Sequence, residues 1–559
     1  MHKSRYWLLQ KLTVKRLPFV GREILLTTAF GLLGLIGLLH HEMWRDELQA
    51  WLLVRDSSSL LDLYYNFQYE GHPALWYLCA YAITTFTHNP MAMQLFHLLV
   101  SASSIFLFVR FSPFSWQQKT LFCFGYFPFY EYNLISRNYA IGILFLFLFC
   151  SLYKARDKRI LALAVCLAGL ANTNFYALIL SSVLAIALIV DLSDRQQLSK
   201  LHRQNPSKLL ASGLIVILGW ILAAVPILRA IAAASSELGV AVQANTVQPE
   251  KIGVKLAGGL DFFLTHLNYE FLQSLSYIWQ SYVPIPHFKV DFWNSNIFDL
   301  VGIFLANWHL EDWRIGGLLT LIASLGLAFS SVRLLAAQRS VLLAYCLGSS
   351  LIIVCAWWLY PSQIRHYGHL FFLFLACIWM ARSTDLSQPK LAKSGLALQT
   401  LSRSTEKKFI TGLLVTQAIA GVFAYTIDLH YPFSMSRDVA EFIQAQGLET
   451  LPIVGYEQRP ALTLSGYLDQ PIYDPAKNQF RSFWTTRHAK VQTANILADA
   501  MRIGCQQHSA VLLVLTEALD ATRLPTIQPL AAFDGPRIVR SEGFYLYLAS
   551  PQAADQACS

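Results

Sequence analysis

The run FYALILSSVLAIALIV, residues 175–190, decides how the chain reads. It holds no charged side chain, and its polar members are only Tyr176, Ser181 and Ser182. As a helix it rises about 24 Å, close to the roughly 30 Å of a hydrocarbon core. Backbone groups in lipid have no water to bond to. An apolar run of this length therefore means a helix whose hydrogen bonds close within the segment.

The same pattern recurs on both sides. Apolar cores at 24–39, 93–109, 120–130, 139–153 and 160–171 precede it. Others at 209–228, 315–332, 341–359, 370–381 and 409–427 follow. About eleven transmembrane helices are expected, with 120–130 and 160–171 the short ones. Composition agrees: of 559 residues, 55% are hydrophobic and only 14% charged, against about 25% charged in a soluble domain. The basic segment 1–23 followed by 24–39 resembles a signal peptide. His40-His41-Glu42-Met43-Trp44 lacks a small-residue cleavage site, so an uncleaved first helix is expected.

The net charge of +9 sits in short loops between the apolar runs, as a topology signal does and as a nucleic-acid surface does not. With the N-terminus inside, the inner segments hold 24 Lys and Arg and the short outer loops 4. That asymmetry requires 73–86, apolar but only about 14 residues long, to lie at the interface or re-enter rather than cross. The expectation is an integral protein of a bacterial inner or plasma membrane. Its N-terminus is then cytoplasmic and its C-terminal end extracytoplasmic.

Two regions depart from the pattern. Residues 230–314 form a long outer loop rich in aromatics, among them Phe262, Tyr269, Phe271, Tyr277, Trp279, Tyr282, Phe292 and Trp293. Amphipathic helices at headgroup level and a lid over a substrate groove both account for it. From 428 on, apolar runs shorten and polar residues mix in. Helices are expected over 436–446, 461–467 and 491–503, and strands over 452–456, 510–515 and 543–548. The fold class is thus a polytopic α-helical membrane protein, 1–428, followed by an extracytoplasmic α/β domain, 429–559. Seven of the nine cysteines (Cys79, Cys123, Cys150, Cys166, Cys346, Cys355, Cys377) lie in apolar segments without C-x-x-C spacing and read as small core residues. Cys505 and Cys558 are placed to pair in an oxidising compartment.

Polar residues are expensive beside a membrane, and four stretches concentrate them at the outer helix ends. Arg45-Asp46-Glu47 follows the first helix; the adjacent carboxylates suit a base or a metal ligand, and equally a helix cap. Glu70-Gly71-His72-Pro73 leads into 73–86, with Glu70 and His72 as candidate ligands of a divalent metal ion. Glu131-Tyr132-Asn133-Leu134-Ile135-Ser136-Arg137-Asn138-Tyr139 puts Arg137 where the positive-inside bias disfavours it, which suits an anion such as a phosphate. A snorkelling side chain is the plainer account. Gln363-Ile364-Arg365-His366 supplies a second outer arginine beside a titratable ring. There is no P-loop, G-x-G-x-x-G, H-E-x-x-H or G-x-S-x-G, so ATP-driven transport and common hydrolase mechanisms have no support.

In order along the chain, these stretches resemble the GT-C superfamily of membrane glycosyltransferases. The nearest likeness is its polyprenyl-phosphate-sugar branch of protein O-mannosyltransferases and aminoarabinose transferases. Asp46-Glu47 matches the acidic pair of the first outer loop there. Glu70-Gly71-His72-Pro73-Ala74-Leu75-Trp76-Tyr77 is similar to an H-P-P-L-Y-Y segment, and Ser136-Arg137-Asn138-Tyr139-Ala140 to an A-R-P-Y-A-L segment. Departures are Ile135, where an acidic residue often precedes the arginine, and Ala74 and Asn138, where prolines stand. The resemblance implies a sugar donor on a polyprenyl phosphate and a hydroxyl acceptor on a lipid, glycan or protein. It further implies inverting displacement with Asp46 and Glu47 at the catalytic centre. Arg137, Tyr139, Arg365 and His366 would stand around the donor phosphate. The competing reading is a transporter, flippase or polymerase of cell-envelope glycans, though neither inverted repeats nor broken midplane helices are evident. A membrane-anchored binding protein is a third reading, but a mere anchor needs no polar cluster.

Overall fold

The structure, a computed structural model, describes residues 21–243, 269–306, 313–359, 362–383, 402–455, 458–485, 491–520 and 524–550. Phe262, Cys558 and residues 1–20 of the basic N-terminal segment lie outside them.

Each of the eleven apolar cores lies wholly or largely in helix. Among the described residues, eight helices are long and apolar enough to cross a membrane: Gly21–His40, Met91–Phe111, Phe175–Asp194, Pro206–Ala233, Ile315–Leu335, Arg339–Trp358, Ile364–Ser383 and Arg403–Asp428. Their outer faces carry exposed Leu and Ile, for example Leu25, Leu32, Leu210, Leu214 and Ile322. That surface is stable only against hydrocarbon, and the chain is an integral membrane protein. Tyr139–Leu152 and Ile160–Ala171 are shorter helices packed inside the bundle. The short 73–86 segment forms helix Leu75–Thr84.

Two expectations need correction. The core at 120–130 is not one regular helix. Helix Trp116–Cys123 stops, and a π-helical turn, Tyr126–Glu131, follows. Pro128 has no N–H to give to an α-helical ladder. The turn also lies against helix Arg403–Asp428 at Gly421, where a Cβ would come within 2.5 Å of the Phe124 carbonyl oxygen. The aromatic region from 230 is not loop at its start either, because helix Pro206–Gln243 runs well past 228. Beyond the undescribed residues, helix Tyr269–Tyr282 enters the bundle instead of lying on its surface. Tyr277 stacks on Tyr367 at 4.6 Å, and Tyr282 bonds the Tyr345 hydroxyl at 3.0 Å. Gln417 donates to the carbonyl of Ser281 at 2.9 Å.

The C-terminal part is a six-stranded sheet of β1 (Ile453–Gly455), β2 (Ile472–Asp474), β3 (Gln479–Arg481), β4 (Val511–Leu515), β5 (Ile527–Phe533) and β6 (Phe544–Ala549), ordered β3-β2-β1-β4-β6-β5. β1 pairs in parallel with β2 and β4, and the remaining pairs are antiparallel. Alternation splits β4 between two cores. Leu512 and Val514 face helices Ser436–Ala445 and Gln458–Leu468, whereas Val511, Leu513 and Leu515 face helix Thr493–Gln507. The strands not expected from sequence are β2, β3 and β5; the first two are three-residue strands, and β5 carries Pro529 at a bulge.

This sheet unit grips the first polar helix, Arg45–Arg55. Gln49 exchanges hydrogen bonds with the Trp484 backbone (2.9 and 3.1 Å), and Arg55 pairs with Asp469 at 2.8 Å. The Arg45 backbone N–H donates to Glu542 at 3.2 Å, and Gly466 lies against Leu48.

The close approach at Gly421 sets a stability test. Gly421→Ala should cost about 1–3 kcal/mol, because the new methyl meets backbone rather than a movable side chain. Gly412→Ala, in the same helix with no atom within 4 Å of the added carbon, should be neutral or stabilising. Thermal unfolding in detergent reads both; equal midpoints for the two variants would refute the packing.

Candidate active site

The polar stretches separated in sequence meet at the end of the bundle that the sheet unit covers. Helix Arg45–Arg55 begins with Trp44 at its N-cap and Asp46 and Glu47 in its first turn, where acidic groups suit the helix dipole. Adjacent helical residues point about 100° apart, and the two carboxylates go to different places.

Asp46 faces two guanidinium groups. Its Oδ2 is 3.2 Å from Arg365 Nη2 and 3.9 Å from Arg137 Nη1, and Arg137 also donates to the Asp46 carbonyl. Arg365 is 7% exposed at its side chain and lies against a pair of touching indoles, 5.2 Å from the Trp44 ring and 5.3 Å from the Trp293 ring, which are themselves 4.7 Å apart. Its Nε and Nη1 are buried with no hydrogen-bond partner. Buried donors are normally satisfied, so this cationic pair keeps binding capacity in hand. Both guanidinium groups converge on the one Asp46 carboxylate, with Glu131 near Arg365 and Glu70 near Arg137. Trp293 is held by its Nε1–H donating to Glu131 at 3.0 Å, and Glu131 also accepts from Tyr126 at 2.9 Å.

Glu47 turns inward and is fully enclosed. One oxygen accepts the Ser136 backbone N–H at 2.6 Å, beside Arg137; the other meets Trp44 N–H at 3.3 Å and His41 Nε2 at 3.2 Å. The opposite ring nitrogen of His41 lies 2.8 Å from Asp428, at the end of the last membrane helix. Burial alone would lower the His41 pKa, but Asp428 and Glu47 outweigh it and lift it to about 10. The imidazolium thus joins two carboxylates in a buried chain that ties helix Arg45–Arg55 to the Arg137 loop and to the entry of the sheet unit. At two neighbouring carboxyls burial outweighs the nearby cations, Arg437 and His41 at Glu42 and Arg45, 3.8 Å away, at Glu542. Burial, with Asp438 nearby, pushes Glu42 up to about 8, and burial pushes Glu542 up to about 7 despite Arg45.

Other expected residues stand around this centre. Tyr139 stacks on Tyr132 at 5.1 Å and lies edge-on to His366 at 6.3 Å. His366 stacks on Tyr176 at 5.4 Å, one residue from Arg365 in the almost wholly buried helix Ile364–Ser383. Glu70 has both oxygens engaged, accepting from Gln49 at 2.8 Å and Tyr77 at 2.7 Å. Among the described residues no three His, Cys, Asp or Glu side chains come together to hold a metal ion. Of the expected metal ligands Glu70 and His72, Glu70 is held by Gln49 and Tyr77. The seven cysteines expected in the core are free thiols, but only Cys123, Cys150, Cys166 and Cys377 are buried; Cys79 and Cys355 are half-buried and Cys346 is exposed on the outside of its helix. Sequence reasoning missed His41 and Asp428, whereas Trp44 and Trp293 stood in stretches it had singled out. No local signal joins His41 to Asp428, 387 positions away.

The His41 chain has a pH signature. A base whose folded pKa is raised stabilises fully below its unfolded pKa near 6.5 and progressively less as pH rises toward 10. The thermal stability gap between the wild type and His41→Asn should therefore be largest below pH 6.5 and narrow toward pH 10. A gap that is flat or widens over that range would show that no imidazolium is held there.

No protein-family profile and no curated protein matches the chain. Solved structures similar to it include two of one protein. One is ArnT from Cupriavidus metallidurans bound to undecaprenyl phosphate, at 12% identity and TM-score 0.46, covering 97% of this chain and 99% of that one. The other is the same protein in the apo state, at 11% identity and TM-score 0.46, covering 95% and 98%.

Proposed function

We propose that the chain is a GT-C-type glycosyltransferase that moves a sugar from a polyprenyl-phosphate donor to a hydroxyl acceptor. The observation that carries this reading is Arg365. It is a buried guanidinium against a pair of tryptophans, with two unused donors, beside Arg137 and a carboxylate. Such a group asks for an anion with several oxygens, and phosphate answers it. The division of the chain follows: residues 1–428 form the transferase unit, and 429–559 a domain that braces the first polar helix. The 24-to-4 distribution of basic residues supports placing this end outside, with the N-terminus cytoplasmic.

The mechanism is a single displacement. As the donor phosphate arrives, Arg365 and Arg137 turn their hydrogen bonds from Asp46 to its oxygens. That frees the Asp46 carboxylate to accept the proton of the acceptor hydroxyl. The hydroxyl oxygen bonds to the anomeric carbon, the bond from that carbon to the phosphate oxygen breaks, and the electron pair leaves on the polyprenyl phosphate. The two guanidinium groups stabilise the departing charge. Attack opposite the leaving group inverts the anomeric centre. Tyr139 and His366 line the phosphate side, and Glu47 acts through His41 and Ser136 as a positioning residue.

Purified protein assayed with a panel of polyprenyl-phosphate sugars tests this. Asp46→Asn should lose roughly 10² to 10⁴-fold in turnover while keeping its folded state. Arg365→Lys should weaken donor use, because a point charge does not replace the planar fork. Glu47→Gln should chiefly lower stability. Full turnover in Asp46→Asn would falsify the assignment of the base.

A further inference from the structure

Outside the Asp46 centre, a second polar cavity of about 570 Å³ lies at the far end of the same helix. Arg55, Asp56 and His88 form its wall on the bundle side, and Gln470, Phe480 and Arg481 its wall on the sheet side. It therefore sits in the seam between the membrane bundle and the edge strand β3.

Its chemistry is distinctive. Both arginines are already paired: Arg55 is 2.6 Å from Asp56 and 2.8 Å from Asp469, and Arg481 is 3.5 Å from Asp474. Two cations against three carboxylates leave no positive charge over to draw a phosphate. What remains are neutral contacts. The Nε of Arg481, on a side chain only 9% exposed, and the Nε2 of Gln470 are buried donors with no hydrogen-bond partner. Phe480, 41% exposed, lines the same cleft from the other face of the edge strand β3. Buried donors without acceptors are unfavourable until something supplies oxygen atoms. An exposed aromatic ring and several hydrogen-bonding groups in one cleft, with no unpaired cation, suit the C–H face and hydroxyls of an uncharged sugar.

Position adds to composition. Arg55 follows Asp46 by nine helical residues, about 14 Å along the axis, farther than one sugar seated at Asp46 extends. We infer that this cleft is a saccharide subsite, holding the distal neutral sugars of an extended acceptor whose near end presents its hydroxyl to Asp46. The inference rests on the transferase reading for the role of the ligand, but not for its binding. It narrows the acceptor from any lipid, glycan or protein hydroxyl to an oligosaccharide-bearing one.

Calorimetric titration of the full-length protein in detergent with soluble, uncharged oligosaccharides of increasing length tests it without relying on turnover. Affinity should rise with length. Phe480→Ala and Gln470→Ala should each weaken the longest ligand about tenfold, with thermal midpoints near wild type showing that the fold is intact. Absence of binding to every oligosaccharide, or wild-type affinity in both variants, would overturn the subsite. Length-dependent binding lost in both variants, in a protein that transfers sugar from no polyprenyl-phosphate donor, would support the subsite and sink the transferase reading alone.

Discussion

Everything at the polar end of this bundle depends on one buried chain of charges, Asp428 to His41 to Glu47. Two carboxylates and an imidazole taken out of water are costly unless each meets a partner of opposite sign. Here one imidazolium is shared between the two carboxylates. Because Glu47 also accepts the backbone N–H of Ser136, the chain fixes the first polar helix against the loop that carries Arg137. Because Asp428 closes the last membrane helix, it fixes the same helix against the start of the sheet unit. Three segments remote in sequence are thereby set in register, and Asp46 is held where two arginines converge.

The contrast between the two acidic neighbours separates support from chemistry. Glu47 has spent its hydrogen-bonding capacity on the protein, whereas the group facing Asp46 has not: Arg365 keeps two buried donors unused beside Trp44 and Trp293. Folding alone gives no reason to bury an unsatisfied guanidinium, but binding an anion does. The indoles confine it and shield it from water, so a charge arriving there is met by donors already in place.

Much of this was legible in the sequence for a physical reason. Lipid imposes an apolar length on each spanning helix, and the eleven apolar cores fell largely in helices. The same rule made Arg137 and Arg365 conspicuous, since an arginine at the wrong end of a helix needs a cause. Where the sequence misled, a tertiary constraint had overridden a local one. The 120–130 run is apolar enough for a span, but Pro128 and the contact at Gly421 break it into a short helix and a π-turn. The aromatics around 277–282 read as interfacial, yet they pack against Tyr345 and Tyr367 inside the bundle. Glu70 and His72 had the residue types of a metal site, but Gln49 and Tyr77 occupy the carboxylate. His41 and Asp428 carried no signal, because nothing local joins residues 387 positions apart.

The central claim is that the cluster of Asp46, Arg137 and Arg365 is built for a lipid-borne phosphate. The most direct measurement is a cryo-electron microscopy structure of the protein with polyprenyl phosphate added. The phosphate should lie within hydrogen-bonding distance of the Arg365 guanidinium, with that group drawn away from Asp46 and the tail running between helices toward the lipid. A well-defined lipid phosphate seated elsewhere, with the Arg365 to Asp46 pair intact, would contradict the account.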